Sequence, residues 1–195
     1  KAVELQEDLL AAKVENANKT ENKTSVNLAF KHILTQINFS AELESGVTYT
    51  VTKIEIMDVN NTGTFTYGTG DVVGAWSSLS GKISYEYAGK YDATATDNVA
   101  DFSTNANALM LLPQTLSADA KIAVTYSAVK NGFTTFTGTK EVSLKDKVWG
   151  IGKNLRYTLK LSSDATEVVF TPSVSEWTDE TPQPDPVTPV TPLTE

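Results

Sequence analysis

The chain of 195 residues contains no cysteine. Disulfide scaffolds, thiolate metal sites and cysteine nucleophiles are excluded, although this absence does not fix the compartment. Arg156 is the only arginine and His32 the only histidine. A lone guanidinium leaves little for bidentate recognition of phosphate or carboxylate. Positive charge is short overall: the formal net charge is −8 and the pI near 4.7. That argues against a nucleic-acid partner, which wants a basic stripe, and against docking on anionic lipid. No apolar run reaches the roughly 18 residues of a membrane-spanning helix, so no integral membrane span is expected. The chain begins at Lys1 with no signal-like stretch, which reads as a mature product or a fragment from which any export signal has been removed.

What is abundant is threonine, together with Val, Ile, Tyr and Phe, a composition suited to pleated surfaces. The clearest pattern runs from Trp149 to Trp177. Ile151, Leu155, Tyr157, Leu159 and Leu161 share odd positions, and Gly152, Asn154, Arg156, Thr158 and Lys160 alternate with them. A period of two marks a strand with one buried face. After a polar turn, Val168, Phe170, Pro172 and Val174 repeat the pattern, which predicts a hairpin. Asn131-Gly132 between two alternating runs predicts a second hairpin. The apolar parity slips between Phe30 and Ile37, and again between Val51 and Ile54. Each slip implies a bulge or break, because one extra residue turns every later side chain to the other face.

The remaining segments are read in the same way. Asn60-Asn61-Thr62-Gly63 predicts a turn and the stretch 68–74 a glycine-rich loop. Residues 88–107 predict a long polar connection. Leu109-Met110-Leu111-Leu112 predicts a strand buried on both faces and stopped by Pro113. Short strands at regular spacing give an all-β expectation: an antiparallel, transthyretin-like or Ig-like β-sandwich. It occupies 25–180. Residues 1–24 form a leading segment ending in a polar linker. Residues 181–195, with five of the seven prolines, form an extended, largely polyproline II tail.

Candidate sites are few. His32 shares parity with Leu28, Phe30 and Leu34, which favours a structural histidine hydrogen-bonded inside the sandwich over a catalytic one. No Gly-x-Ser-x-Gly elbow accompanies it. The acidic residues are scattered and form no calcium loop, so neither a metal nor a cofactor is expected. Trp76 and Tyr91, with Tyr85 and Tyr87, are the aromatics to test as a glycan-stacking platform. Core packing explains Tyr85 and Tyr87 equally well, since they share a face with Ile83.

Three stretches, in order, resemble one family. They are Val26-Asn27-Leu28-Ala29-Phe30-Lys31-His32-Ile33-Leu34, then Leu111-Leu112-Pro113-Gln114-Thr115-Leu116, then Trp149-Gly150-Ile151-Gly152-Lys153 with Tyr157-Thr158-Leu159 and the close at Val174-Ser175-Glu176-Trp177. The leading Gln6-Glu7-Asp8-Leu9-Leu10-Ala11 adds to them. Together they are similar to the fimbrillin family, the FimA-like and Mfa-like pilin subunits of Bacteroidetes-type (type V) pili. The positions carrying the likeness are Phe30, His32, Pro113, Gln114, Trp149, Gly152, Tyr157 and Trp177, all in structural roles. The resemblance implies a transthyretin-like sandwich exported as an outer-membrane lipoprotein to the cell surface. It also implies a non-enzymatic subunit that joins other pilin subunits by β-strand addition and meets host or bacterial surface ligands. Residues 1–24 would then be the remnant of an N-terminal domain. The prolines of the tail, on both parities, oppose its use as a donor strand. A glycan-binding surface module is the alternative function.

Overall fold

The computed structural model describes residues 6–15, 26–70, 72–87, 91–94, 99–102, 108–164 and 168–177. Residues 16–24 of the expected linker and the tail expected over 181–195 lie outside them. All regular structure among the described residues is β. In chain order the strands are β1 (Leu10–Ala11), β2 (Lys31–His32), β3 (Thr35–Glu42), β4 (Val47–Tyr67), β5 (Gly74–Tyr87), β6 (Tyr91–Thr94) and β7 (Val99–Asp101). There follow β8 (Leu109–Leu111), β9 (Gln114–Thr115), β10 (Lys121–Lys130), β11 (Phe133–Ser143), β12 (Val148–Trp149), β13 (Lys153–Lys160) and β14 (Val169–Glu176).

They make the expected sandwich. One sheet runs β11-β10-β4-β5, with β6 also on β4; the other runs β14-β13-β3, with β7 and β8 sharing the free side of β3. Two small ribbons, β1–β2 and β9–β12, close one end. The hairpins β10–β11 and β13–β14 form where the alternation and the Asn-Gly turn placed them. Pairing is antiparallel except between β3 and β13, which run parallel. Alternation reports a buried face, not a direction, so only the assembled sheet reveals that pair.

The parity slips are real. On β4 the register with β10 shifts between Val51 and Lys53, leaving Thr52 as the extra residue. The earlier slip is the break between β2 and β3 at Ile33 and Leu34. Two other expectations are corrected. The stretch 60–63 does not turn; β4 runs through it for 21 residues, bulging against β5 between Ile56 and Val59 and between Thr62 and Thr64. Gly63 serves close approach instead: a Cβ there would lie 2.6 Å from the Leu79 side chain. The polar connection of 88–107 also contains β6 and β7, whose pairing comes from β4 and β3 rather than from local pattern.

The core lies between the sheets. Ile37 and Phe39 of β3, Ile54 and Ile56 of β4, and Leu159 of β13 are all fully buried. Each such side chain contributes about 1.5–3 kcal/mol over its exposed state. Tyrosines bolt the layers together. Tyr49 and Tyr126 donate to the carbonyls of Leu161 (3.3 Å) and Ser162 (2.9 Å), and Tyr87 donates to that of Phe102 (2.8 Å). A buried hydroxyl needs a partner, and here each partner is backbone just beyond the end of a strand of the opposite sheet.

Candidate functional site

The sandwich is finished on one side and open on the other. On the finished side β5 faces β7 and β8, with Tyr87 edge-on to Phe39 at 4.9 Å. The open side is bounded by β11 and β14. Behind β11 stands Tyr126, 4.6 Å from Phe136; behind β14 stands Tyr157, edge-on to Phe170 at 5.1 Å.

Of these two edges β14 is the barer. Phe170, Pro172 and Val174 share its inner face, yet Pro172 is exposed and Val174 is 60% exposed. The inner residues of β11, Phe136, Gly138, Lys140 and Val142, are half-buried instead. The hydrogen-bond phase of β14 can be read directly. Trp177 N–H donates to Gly152 O at 2.9 Å, continuing the ladder in which Lys153 pairs with Glu176. Odd residues therefore bond to β13, and even residues turn their peptide groups outward. The outward row carries the N–H groups of Phe170, Val174 and Glu176, with Pro172 contributing only a carbonyl. No charged side chain interrupts 169–175. Charges are a common guard of a sheet edge. Among the described residues the outward row of β14 has Pro172 as its guard, sitting where proline disturbs no internal bond, and the Lys147 ammonium lies over the Phe170 ring at 5.8 Å.

One end of β14 is firmly anchored. Gly152 adopts φ +63, donates its N–H to Leu34 O (2.9 Å) and accepts from Trp177, so one left-handed residue ties three segments. A Cβ at Gly152 would lie 3.2 Å from His32 O. The His32 ring stacks on Trp177 and its Nδ1 lies 2.6 Å from Asp8 Oδ2 in the leading segment. Close by, β1 pairs with β2 through Leu10↔His32 and Ala11↔Lys31, and Ile33 N–H donates to Leu9 O.

The other motif positions build the same end. Trp149 is 1% exposed, pairs with Gln114, and donates its indole N–H to Tyr157 OH at 2.9 Å. Gln114 is buried; its carboxamide accepts from Asn60 N–H (3.0 Å) and donates to Asn60 O (3.1 Å), joining the β9–β12 ribbon to β4. Pro113 lies half-buried between β8 and β9. Phe30 departs from its expected place. It is 54% exposed and Leu28 45%, because only Lys31 and His32 of that run pair, and they pair with β1 outside the sandwich. For the same reason His32 has its hydrogen bond, but at the end of the sandwich and not within it. Met110 and Leu112 are half-buried, since β8 is an edge partner of β3, so that run is not covered on both faces.

The aromatic platform does not assemble. Trp76 pairs with Phe65 and Tyr91 with Val51, roughly 45 Å apart along β4 at strand rise. Trp76 is half-buried, tilts on Phe65 at 5.4 Å and donates its N–H to Ile33 O (2.6 Å). Tyr87 is fully buried and Tyr85 half-buried; the side chain of Tyr91 lies outside the described residues. Among the described residues no three acidic or histidine side chains gather to hold a metal. No described helix is long and apolar enough to cross a membrane. Sequence reasoning missed the bareness of β14. The available signal was Pro172 inside an uncharged alternating run.

A family model described as fimbrillin-like matches residues 2–177. No curated protein matches the chain. Among solved structures, the fold is similar to that of a fimbrial protein from Bacteroides vulgatus, at 20% identity and TM-score 0.57, covering 84% of this chain and 60% of that one. It is also similar to a candidate cell adhesion protein from Bacteroides uniformis, at 19% identity and TM-score 0.53, covering 91% and 65%. At such identities the likeness speaks for the fold alone. The chain spans less than two thirds of the length of either protein. The family match, in contrast, takes in both ends of the node just described, from Asp8 to Trp177, and on it the chain belongs to the fimbrillin-like family.

Proposed function

We propose that this chain is a non-enzymatic fimbrial subunit or surface adhesin, displayed outside the cell, that joins neighbouring subunits by β-strand addition along β14. The observation that carries the reading is the bare edge of that strand: outward N–H and C=O groups, an uncharged run and an uncovered inner face. An added strand would satisfy the main chain and bury Val174 and Pro172, which is the physics of β-augmentation. Family membership and the fimbrial fold relative support the coarser part. Export as a lipoprotein, the sandwich limits of 25–180, the origin of 1–24 in a preceding domain, and the Pro-rich 181–195 as a stalk, linker or capping feature belong to the same proposal. Phe30, Pro113, Gln114, Trp149, Gly152 and Tyr157 then serve the scaffold that holds β14 in place.

The test uses a single substitution, Val174→Pro. It removes an outward N–H and no internal one, so the monomer should keep its melting temperature within a few degrees. Size exclusion and electron microscopy, with and without trimming of the residues before Val26, should then show oligomers in the parent and their loss in the variant. Oligomers that persist in the variant would rule out β14 as the receiving edge. A parent that never associates, trimmed or not, would remove the polymerising subunit altogether.

A further inference from the structure

The tip of the β10–β11 hairpin carries the most exposed large apolar residue of the described chain. Phe133 is 76% exposed. It is held rigidly: Asn131 and Gly132 have φ 54 and 81, the left-handed pair of a tight hairpin turn, and Phe133 pairs directly with exposed Lys130. An aromatic ring on a preorganised turn, with one cation beside it, is an anchor that loses little entropy on binding.

The other end of the molecule has a cleft of matching character. Leu9, Leu34, Tyr85, Met110 and Leu112 line it, with exposed Glu7 at its rim. Its volume, about 280 Å³, exceeds the roughly 150 Å³ that suffices to enclose a benzene ring. A second cleft, of about 180 Å³, lies under Tyr67 and Val72 but presents Lys13 and Lys31. Lys13 is paired with Glu15 at 2.8 Å, and the exposed Lys31 would repel Lys130. Charge therefore selects the first. Hairpin tip and cleft cannot meet within one copy. Tyr85 pairs with Ile56, whose other neighbour is Ile122, and from Ile122 to Lys130 is roughly 25 Å of strand.

We propose that Phe133 of one copy docks between Leu34, Tyr85, Met110 and Leu112 of the next, which brings Lys130 beside the rim that carries Glu7. The contact joins different patches at opposite ends of the molecule, so it is heterologous and does not close on itself; repeated, it runs head to tail. It deepens the polymerising reading above and rests on it. Its area is small, so its role is to set the spacing and rotation of successive subunits while strand addition supplies the affinity.

The chain is free of cysteine, which makes disulfide trapping clean. Copies bearing Lys130→Cys are mixed with copies bearing Glu7→Cys under mild oxidation, and Lys130→Cys with Lys13→Cys serves as the control for the competing cleft. The first pair should cross-link at least about tenfold more than the control, and Phe133→Glu should abolish that excess. Equal trapping in both pairs, or trapping unchanged by Phe133→Glu, overturns the inference even where oligomers form. Oligomers that persist in Val174→Pro with the cross-link intact would leave this contact standing and count against the β14 edge instead. Because Phe133, Lys130, Glu7 and Lys13 are all exposed, unchanged thermal unfolding of each variant confirms that only association is being read.

Discussion

The imidazole of His32 lies flat on the indole of Trp177, ring centres 3.9 Å apart and planes 7° from parallel. With Asp8 on its Nδ1, that ring joins the leading segment to the end of β14. The leading segment is also held by the β1–β2 pairs, by Met110 N–H on Gln6 Oε1 (2.8 Å) and by Lys13 Nζ on Gly68 O (3.0 Å). Its apolar side chains contribute little: Ala11 is buried, while Leu9 and Leu10 are 43% and 48% exposed. The aromatic stack is thus a clasp at the base of the proposed assembly edge.

Trp177→Ala should lower stability by about 2 kcal/mol, combining the lost stack with a half-buried ring. Trp177→Phe should recover part of it. Urea unfolding measures both. Amide exchange at Ile33, whose N–H bonds to Leu9 O, should rise in the alanine variant as the leading segment loosens. An unchanged exchange rate would show that the other holds, β1–β2 pairing among them, retain that segment.

Gly152→Ala should cost about 1–2 kcal/mol from the left-handed backbone, and more from the Cβ set 3.2 Å from His32 O. Gly132→Ala has φ +81 but open space around it, and should cost only the backbone share. The difference between the two melting temperatures isolates the crowding at His32.

Gln114→Leu keeps the size of the side chain and deletes its carboxamide. The amide and carbonyl of Asn60 are then left without this partner in a mostly buried site, at about 1–3 kcal/mol each. A loss near 3 kcal/mol in urea unfolding is expected. A change below about 0.5 kcal/mol, the usual range of surface substitutions, would mean that water replaces the carboxamide.

Burial pushes the Tyr49 hydroxyl up to about 12 from 10.0, and burial also raises Tyr126 and Tyr157. The folded protein therefore holds a proton that the unfolded chain releases first. This stabilisation is complete below pH 10 and disappears as the pH rises through about 12. Chemical unfolding at stepped pH should show stability falling across that window, with a shallower fall in Tyr49→Phe. A parallel fall in both proteins would assign the loss to other groups.

Much of this was legible because it is local. The alternation from Ile151 to Leu161 and from Val168 to Val174 needs no distant information, since a strand with one buried face must repeat every second residue. Asn131-Gly132 supplies the left-handed pair that a tight hairpin demands. The slip between Val51 and Ile54 is the trace of one bulged residue, Thr52. Where local chemistry is ambiguous the reading failed. Asn60 to Gly63 carries turn residues, yet long pairing with β5 holds it extended, and the bulges absorb what would otherwise be a turn. Phe30 has the parity of a core residue and no second sheet above it.

The sequence by itself carried the motif stretches that resemble the fimbrillin family, and it determined an all-β chain without thiol chemistry and the two hairpins. Those depend on composition and on spacings of a few residues, where the physics is that of neighbouring side chains. Tertiary structure alone decided that β3 and β13 run parallel, that His32 meets Trp177, and that among the described residues β14 ends its sheet. Each is a relation between segments distant in the chain, and such pairing is fixed by the closing of the whole core, not by any one strand's pattern.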